Sequence, residues 1–209
     1  MSTTLIEKRT KVLQFYETFI EKYILKDLAI LQSIKPDTAT GLGGCTIPTA
    51  MTIISSIELL GFLLNEKGVT GESKNNITKF IKYEKESFFP SYYTDDAIEK
   101  IYNYRHGMMH DFFPKFKGKF AGICKNETNS SLFLSHSIAG ETEESLNVTV
   151  LTNDFIKAAT ILKEFLEKTE DESILDTILK GLKDLDYYME ISPTITTRTT
   201  TPPGTPQNK

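Results

Sequence analysis

The feature that most constrains the fold of this chain is the spacing of its apolar residues, which follows the period of an α-helix over most of its length. In the first such stretch, residues 4–33, apolar side chains return every three or four positions with Glu and Lys between them. Pro36 predicts the end of this helix, because proline cannot continue the helical hydrogen bonds. The pattern predicts an all-α protein, a helical bundle of about six helices.

Five further helices are predicted from the same periodicity and from capping residues. They cover residues 47–66, 72–85, 94–113, 153–168 and 171–189. Thr94 or Asp95 is the expected N-cap of the fourth helix, and Asn153 or Asp154 that of the fifth. Pro114 predicts that the fourth helix ends before it.

The most apolar segment, residues 45–64, approaches the length of a membrane span. It carries Glu58 and Pro48 together with several Ser and Thr residues. A carboxylate in the middle of a bilayer is costly, so the segment is predicted to be a buried core helix. No membrane partner is expected.

The stretch from residue 118 to residue 151 has a different character. Short β-prone runs alternate there with polar turns, which predicts a small antiparallel β insert. Residues 191–209 are rich in Thr and Pro without apolar periodicity and are predicted to be disordered. The expected organisation is therefore one helical domain, residues 1–190, followed by a tail.

Cysteine and glycine content excludes several classes of function. Cys45 and Cys124 form no C-x-x-C pair, so they predict reduced thiols rather than a disulfide framework or a zinc knuckle. The N-terminus lacks a basic segment followed by an apolar one, and a cytoplasmic location is expected. Residues 41–44, GLGG, do not have the spacing of a dinucleotide fingerprint.

One stretch, residues 104–110 with the sequence YRHGMMH, concentrates residues that can perform chemistry. The chain has three arginines and three histidines, and Arg105, His106 and His110 lie within six positions. An arginine presents a permanent forked charge that matches phosphate oxygens. A histidine exchanges protons near neutral pH. The combination predicts phosphodiester cleavage of RNA without a metal or other cofactor, with all three residues in the site.

Helix geometry restricts how this site can form. Positions five apart on an ideal helix lie about 140° apart around its axis, so Arg105 and His110 do not face the same way. They converge on one phosphate if the arginine wraps, the helix distorts, or a second subunit contributes. Gly107 permits a close helix approach, and a two-fold homodimer would place two copies of both residues in one cleft.

Arg105-His106-x-x-x-His110, late in a long helix of an all-α domain, resembles the Arg-x4-6-His signature of HEPN domains. In that family a polar residue commonly follows the arginine, as His106 does here. The resemblance implies a metal-independent endoribonuclease that acts as a dimer with a composite site. It also implies a toxin–antitoxin or phage-defence setting, with an antitoxin or other regulatory protein as partner. The β-like insert departs from the minimal family pattern.

Residues beside the motif are predicted to contact RNA. Between residues 98 and 125 six basic residues stand against two acidic ones, although the net charge of the whole chain is −4. Lys115, Lys117 and Lys119 alternate with aromatic residues, a mixture that suits phosphate contact and base stacking. Tyr102 and Asn103 precede the motif and are expected to line the cleft. The alternative for this stretch is a core aromatic edge beside a solvated lysine face.

Two other interpretations of the motif remain open at the level of sequence. His106 and His110 share a helix face and are spaced like two zinc ligands, with Asp111, Cys124 or Glu58 as a third. Alternatively, Arg105 pairs with an acidic residue such as Glu58, and His110 is a hydrogen-bonded core histidine. The chain would then be a non-catalytic helical interaction or regulatory protein.

Overall fold

We describe the protein from a computed structural model. It describes residues 3–39, 43–66, 71–111, 115–116, 119–138 and 141–187. The first helical stretch is continuous and comprises α1 (Thr3–Phe15), a π-helical segment (Tyr16–Leu25) and α2 (Lys26–Ser33). The predicted first helix is thus confirmed, whereas its π-helical middle was not predicted from the apolar spacing.

Helix α3 (Thr46–Leu63) is the central helix of the core, as predicted, but it ends three residues before the predicted residue 66. Its residues Ile53, Ile54 and Ile57 have no exposed surface. In the described part of the chain it is the one helix long and apolar enough to cross a membrane, but 56% of that window is buried inside the protein. This burial is the packing of a core helix.

Helices α4 (Ser73–Ile81) and α5 (Asp95–Asp111) both contact α3. Helix α4 ends four residues before the predicted residue 85, and the chain then forms an aromatic cluster in which the Phe80 and Phe88 rings lie 5.2 Å apart. Helix α5 begins where the sequence predicts. The Thr94 hydroxyl accepts a hydrogen bond from the Ala97 amide at 3.3 Å and so caps it.

The predicted antiparallel insert is wrong in its topology. Strands β1 (Lys115–Phe116) and β2 (Lys119–Phe120) form an antiparallel pair. Strands β3 (Gly122–Cys124), β4 (Phe133–Ile138) and β5 (Glu141–Asn147) form a second sheet in the order β3-β5-β4. In it β4 and β5 are antiparallel, but β3 and β5 are parallel. Local β-propensity does not encode this pairing, because strand partners are chosen by tertiary contacts.

The start of the next helix also differs from the prediction. Helix α6 (Val148–Lys168) begins directly after β5, so residues 148–151 are helical rather than β-structured. Asn147 is the N-cap, and its side-chain oxygen accepts from the Thr149 amide at 3.2 Å. Neither Asn153 nor Asp154 caps the helix; the Asp154 carboxylate is buried and accepts a hydrogen bond from the Tyr93 hydroxyl at 3.0 Å.

Helix α7 (Glu172–Asp184) closes the bundle on α1 and α3. Asp171 is its N-cap and accepts from the Ser173 amide at 3.0 Å. The helix ends five residues before the predicted Met189, which lies outside the described residues, as does the predicted disordered tail. The described part is therefore a mostly helical fold around one apolar core with a small mixed sheet.

Candidate functional site on helix α5

The inner face of α5 fixes the orientation of the motif. Ile101, Tyr104 and Met108 are buried, at 0%, 1% and 2% exposure. The Tyr104 hydroxyl reaches the sheet at the Gly122 carbonyl oxygen (3.1 Å) and the Glu144 carbonyl oxygen (3.2 Å). Burial raises the pKa of the Tyr104 hydroxyl well above its usual value, so this group stays a neutral hydrogen-bonding anchor.

Arg105 lies beside this face and points at α3. Its Nε donates to the Glu58 Oε2 at 3.0 Å, and its Nη2 donates to the Glu58 Oε1 at 3.3 Å. The two side chains are 21% and 18% exposed, so the pair is largely withdrawn from water. The structure thus contains the Arg105–Glu58 pair that the sequence offered as one of its alternatives. The forked contact fixes the guanidinium in one orientation.

The Arg105–Glu58 pair borders a groove between α3, α4, α5 and the end of α7. We call it the Arg105 groove; it has a volume of about 340 Å³. Its main lining residues are Ser55, Glu58, Phe62, Asn76, Arg105 and Leu185. Its volume lies near the lower limit of small-molecule sites, which run from roughly 300 to 1,000 Å³.

The two histidines lie on a different face of α5. His106 and His110 are both exposed, and their ring centroids are 4.5 Å apart. Tyr102, one turn earlier and half-buried, continues the row, with its ring 6.2 Å from that of His106. We call these three residues the His stripe. Met109 beside them is 49% exposed. The exposed position of His110 does not fit the core histidine of the non-catalytic interpretation.

The remaining predicted RNA contacts are only partly described. The Asn103 amide donates to the Glu99 carbonyl oxygen (2.8 Å) and to the Glu99 Oε1 (3.3 Å), so it is engaged within α5. Lys115 lies in β1 and Lys119 in β2, which places their backbone directly after the motif helix. Lys117 lies outside the described residues.

The metal interpretation depends on a third ligand near His106 and His110. Within the ranges that the structure describes, no group of three or more His, Cys, Asp or Glu side chains is arranged to hold a metal ion. Of the proposed third ligands, Glu58 is bound to Arg105, and Cys124 is half-buried on β3 with its thiol pKa raised by burial. The Asp111 side chain lies outside what is described.

Within one chain, then, α5 brings the two histidines together but keeps the guanidinium on another face. An anion in the Arg105 groove would contact Arg105 and not the His stripe. Sequence reasoning missed Asn76, which is 2% exposed and lines the groove. Its signal was present: Asn76 occupies a position of the apolar face of α4, which also contains Ile77 and Phe80.

No protein-family model matches this chain, and no curated protein or solved structure is significantly similar to it.

Proposed function

We propose that this protein is a HEPN-like, metal-independent endoribonuclease that acts as a homodimer, with Arg105 and His110 in its site. One observation carries the proposal: a single helix presents a fixed guanidinium at a groove and, on a different face, a pair of exposed imidazoles. Together they can supply the proton transfer and the charge stabilisation that cleave a phosphodiester without metal.

The chemistry follows from the roles of the two groups. His110 takes the proton from a ribose 2′-hydroxyl, whose oxygen attacks the adjacent phosphorus. The bond from phosphorus to the 5′-oxygen of the next nucleotide breaks, and that oxygen leaves as a hydroxyl after taking back the proton that His110 carries. Arg105 stabilises the negative charge that develops on the phosphate oxygens. The products are a 2′,3′-cyclic phosphate and a 5′-hydroxyl.

The dimer is part of the proposal because of the placement of the two side chains. Arg105 is directed toward α3, and His110 faces away from it on the surface of α5. Two α5 helices packed across a two-fold axis would bring the histidine of one chain to the arginine of the other. Exposed Met109 supplies flexible apolar surface for such a contact.

Other parts of the molecule have supporting roles in this proposal. His106 and Tyr102 extend the His stripe along a bound strand, with Tyr102 available for base stacking. Asn103 borders the stripe, and Lys115, Lys117 and Lys119 contact the RNA backbone. An antitoxin or other regulatory protein would restrain such an enzyme. We propose a cytoplasmic location, in agreement with the free thiols of Cys45 and Cys124.

The test is cleavage of an end-labelled RNA in excess EDTA. We expect the wild type to leave 2′,3′-cyclic phosphate ends and to spare DNA, which lacks the nucleophilic hydroxyl. His110→Ala should lose about 10²–10⁴-fold in rate, the usual contribution of a proton-transfer group. His136→Ala is the matched control, because His136 is exposed on β4 and lies outside the proposed site. Full activity of His110→Ala would exclude the mechanism.

A second candidate, a non-catalytic HEPN-like interaction or regulatory protein, is favoured by the Arg105–Glu58 pair itself. That contact neutralises the guanidinium within its own chain. For this candidate we expect no cleavage of RNA by the wild type, and equal loss of stability in Arg105→Ala and Glu58→Ala. The same EDTA assay separates the two candidates.

A further inference from the structure

Asn76, which lines the Arg105 groove, has a buried polar atom that pairs with none of the described residues. Asn76 is 2% exposed, and its side-chain oxygen Oδ1 is buried without a hydrogen-bond partner among the described residues. An unpaired buried acceptor destabilises a protein, and most such groups in folded proteins are paired. The Oδ1 acceptor of Asn76 is thus not satisfied by the described residues, and a ligand donor that reaches it from the groove would pair it.

The position of Asn76 is fixed by the packing of α4 on α3. At the crossing point, a Cβ added to Gly61 would lie 1.7 Å from the Asn76 carbonyl oxygen, so only glycine allows this approach. Its neighbour Asn75 points to solvent and donates to the Glu72 carboxylate at 2.9 Å. The two adjacent asparagines thus differ: one serves the helix terminus, and the other faces the interior beside the groove.

The groove combines acceptors with donors. Glu58 and Asn76, both in its lining, carry the acceptors: a carboxylate whose two oxygens also accept from Arg105, and the buried Oδ1. Arg105 has five N–H donors, of which the contacts with Glu58 engage two groups, its Nε and its Nη2. Leu59 and Phe62 of α3 contribute apolar walls. A matching ligand would have N–H donors on one edge, to meet Glu58 and Asn76, and acceptors on the neighbouring edge, to meet Arg105.

We infer that the Arg105 groove binds a guanine base. Guanine carries two adjacent donor groups, N1–H and the N2 amine, which suit Glu58 and Asn76. Its O6 is an acceptor for one of the three Arg105 N–H groups that Glu58 does not engage, which leaves two for a phosphate. Uracil lacks the amine, and adenine has no acceptor at the position of O6. This inference rests on the proposed function, in which guanine would be the base that the enzyme selects beside the cleaved phosphate.

The test is a binding titration that does not need cleavage. Isothermal titration of the full chain with guanosine 5′-monophosphate should show one saturable site per chain. Inosine 5′-monophosphate differs from it only by the missing N2 amine and should bind at least about tenfold more weakly, as should the uridine nucleotide. Equal affinities for the guanosine and inosine nucleotides, or no saturable binding at millimolar concentration, would overturn the inference.

A matched pair of variants locates the site. Asn76→Ala should weaken binding of guanosine 5′-monophosphate by about tenfold and reduce its preference over the inosine nucleotide. Asn75→Ala, one position earlier on the same helix and exposed, should leave both unchanged. Equal effects of the two substitutions would contradict the assignment. If Asn76→Ala fails to fold, the comparison of the guanosine and inosine nucleotides on the wild type still tests whether the groove selects guanine.

The two proposals can fail separately. Cleavage of RNA in EDTA together with no binding of guanosine 5′-monophosphate would refute the guanine site and leave the ribonuclease standing. Selective binding without cleavage would keep the guanine site and refute the enzyme. His110→Ala should retain nucleotide affinity, because His110 lies on the other face of α5.

Discussion

At the scale of the residue, Arg105 differs from an ordinary surface arginine in how it is held. Both oxygens of the Glu58 carboxylate accept from it, in a site where each partner is only about one-fifth exposed. A guanidinium held in this way has already lost side-chain freedom before any phosphate arrives. The same contact also competes with a phosphate for the donors. A replacement of Arg105 that keeps the positive charge but loses the forked donors therefore shows which of the two properties cleavage needs.

We predict that Arg105→Lys fails to replace arginine although the charge is kept. A lysine ammonium is a point charge and cannot form two parallel bonds to Glu58 or to a phosphate. The RNA cleavage rate should fall by about 10²-fold or more, as for other groups that stabilise transition-state charge. A rate within a factor of about three of the wild type would show that positive charge alone suffices.

His106 provides the contrast at the neighbouring position. Its exposed ring contacts the His110 ring, and no contact buries it. We predict that His106→Asn lowers the cleavage rate less than His110→Ala does, because this position needs a hydrogen-bonding group more than a titrating one. The comparison is made under the same EDTA conditions. A loss in His106→Asn equal to that in His110→Ala would instead assign proton transfer to both histidines.

At the scale of the element, the contact of α3 with α4 depends on Gly61. A methyl group there would overlap backbone atoms of Asn76, whereas at Gly181 on α7 the nearest atom is a flexible methyl of Leu63 at 3.0 Å. Gly61→Ala should therefore lower the free energy of unfolding by at least about 2 kcal/mol. Gly181→Ala should stay within about 1 kcal/mol of the wild type, since alanine favours helix. Urea unfolding of both variants checks this pair.

The N-cap of α7 should make stability depend on pH. Hydrogen bonds from Lys85 and Ser173 lower the pKa of the Asp171 carboxyl to about 2. A lowered pKa stabilises the fold above the unfolded value of about 4, and that stabilisation disappears as the pH falls toward 2. In Asp171→Asn the side chain can still accept the capping hydrogen bond, but it carries no negative charge. The difference in Tm between wild type and variant should be constant above about pH 5 and shrink toward pH 2; a constant difference throughout would contradict it.

The elements also show what the sequence encodes locally and what it does not. The existence of α3 and α5 and their starting points follow from local signals, namely apolar periodicity and, for α5, the Thr94 cap; α3 ends three residues before its predicted end. The β-branched run at residues 148–150 was wrongly predicted to be a strand, because groups distant in sequence hold Asn147. Its side-chain amide donates to the carbonyl oxygens of Asn126 and Asn129, each at 3.0 Å. That tertiary anchor starts α6 where propensity alone favours a strand.

At the scale of the whole molecule, the candidate site was only partly predictable. The motif and its helix, and Glu58 as a partner for Arg105, could be read from the sequence. The Arg105 groove could not, because Ser55, Asn76 and Leu185 come from three separate segments. Helix periodicity did predict that Arg105 and His110 face different ways, but not that the Arg105 side of α5 opens into a groove. In the proposed dimer, the Arg105 of one chain would lie beside the His110 of the other.

The most direct test of this account mixes two inactive variants, Arg105→Ala and His110→Ala, after unfolding and refolding them together. If each site takes its arginine from one chain and its histidine from the other, a mixed dimer has one intact site. Random pairing of equal amounts then predicts about one quarter of the wild-type cleavage rate, although each variant alone is inactive. A mixture as inactive as its components, with light scattering showing dimers, would contradict the composite site.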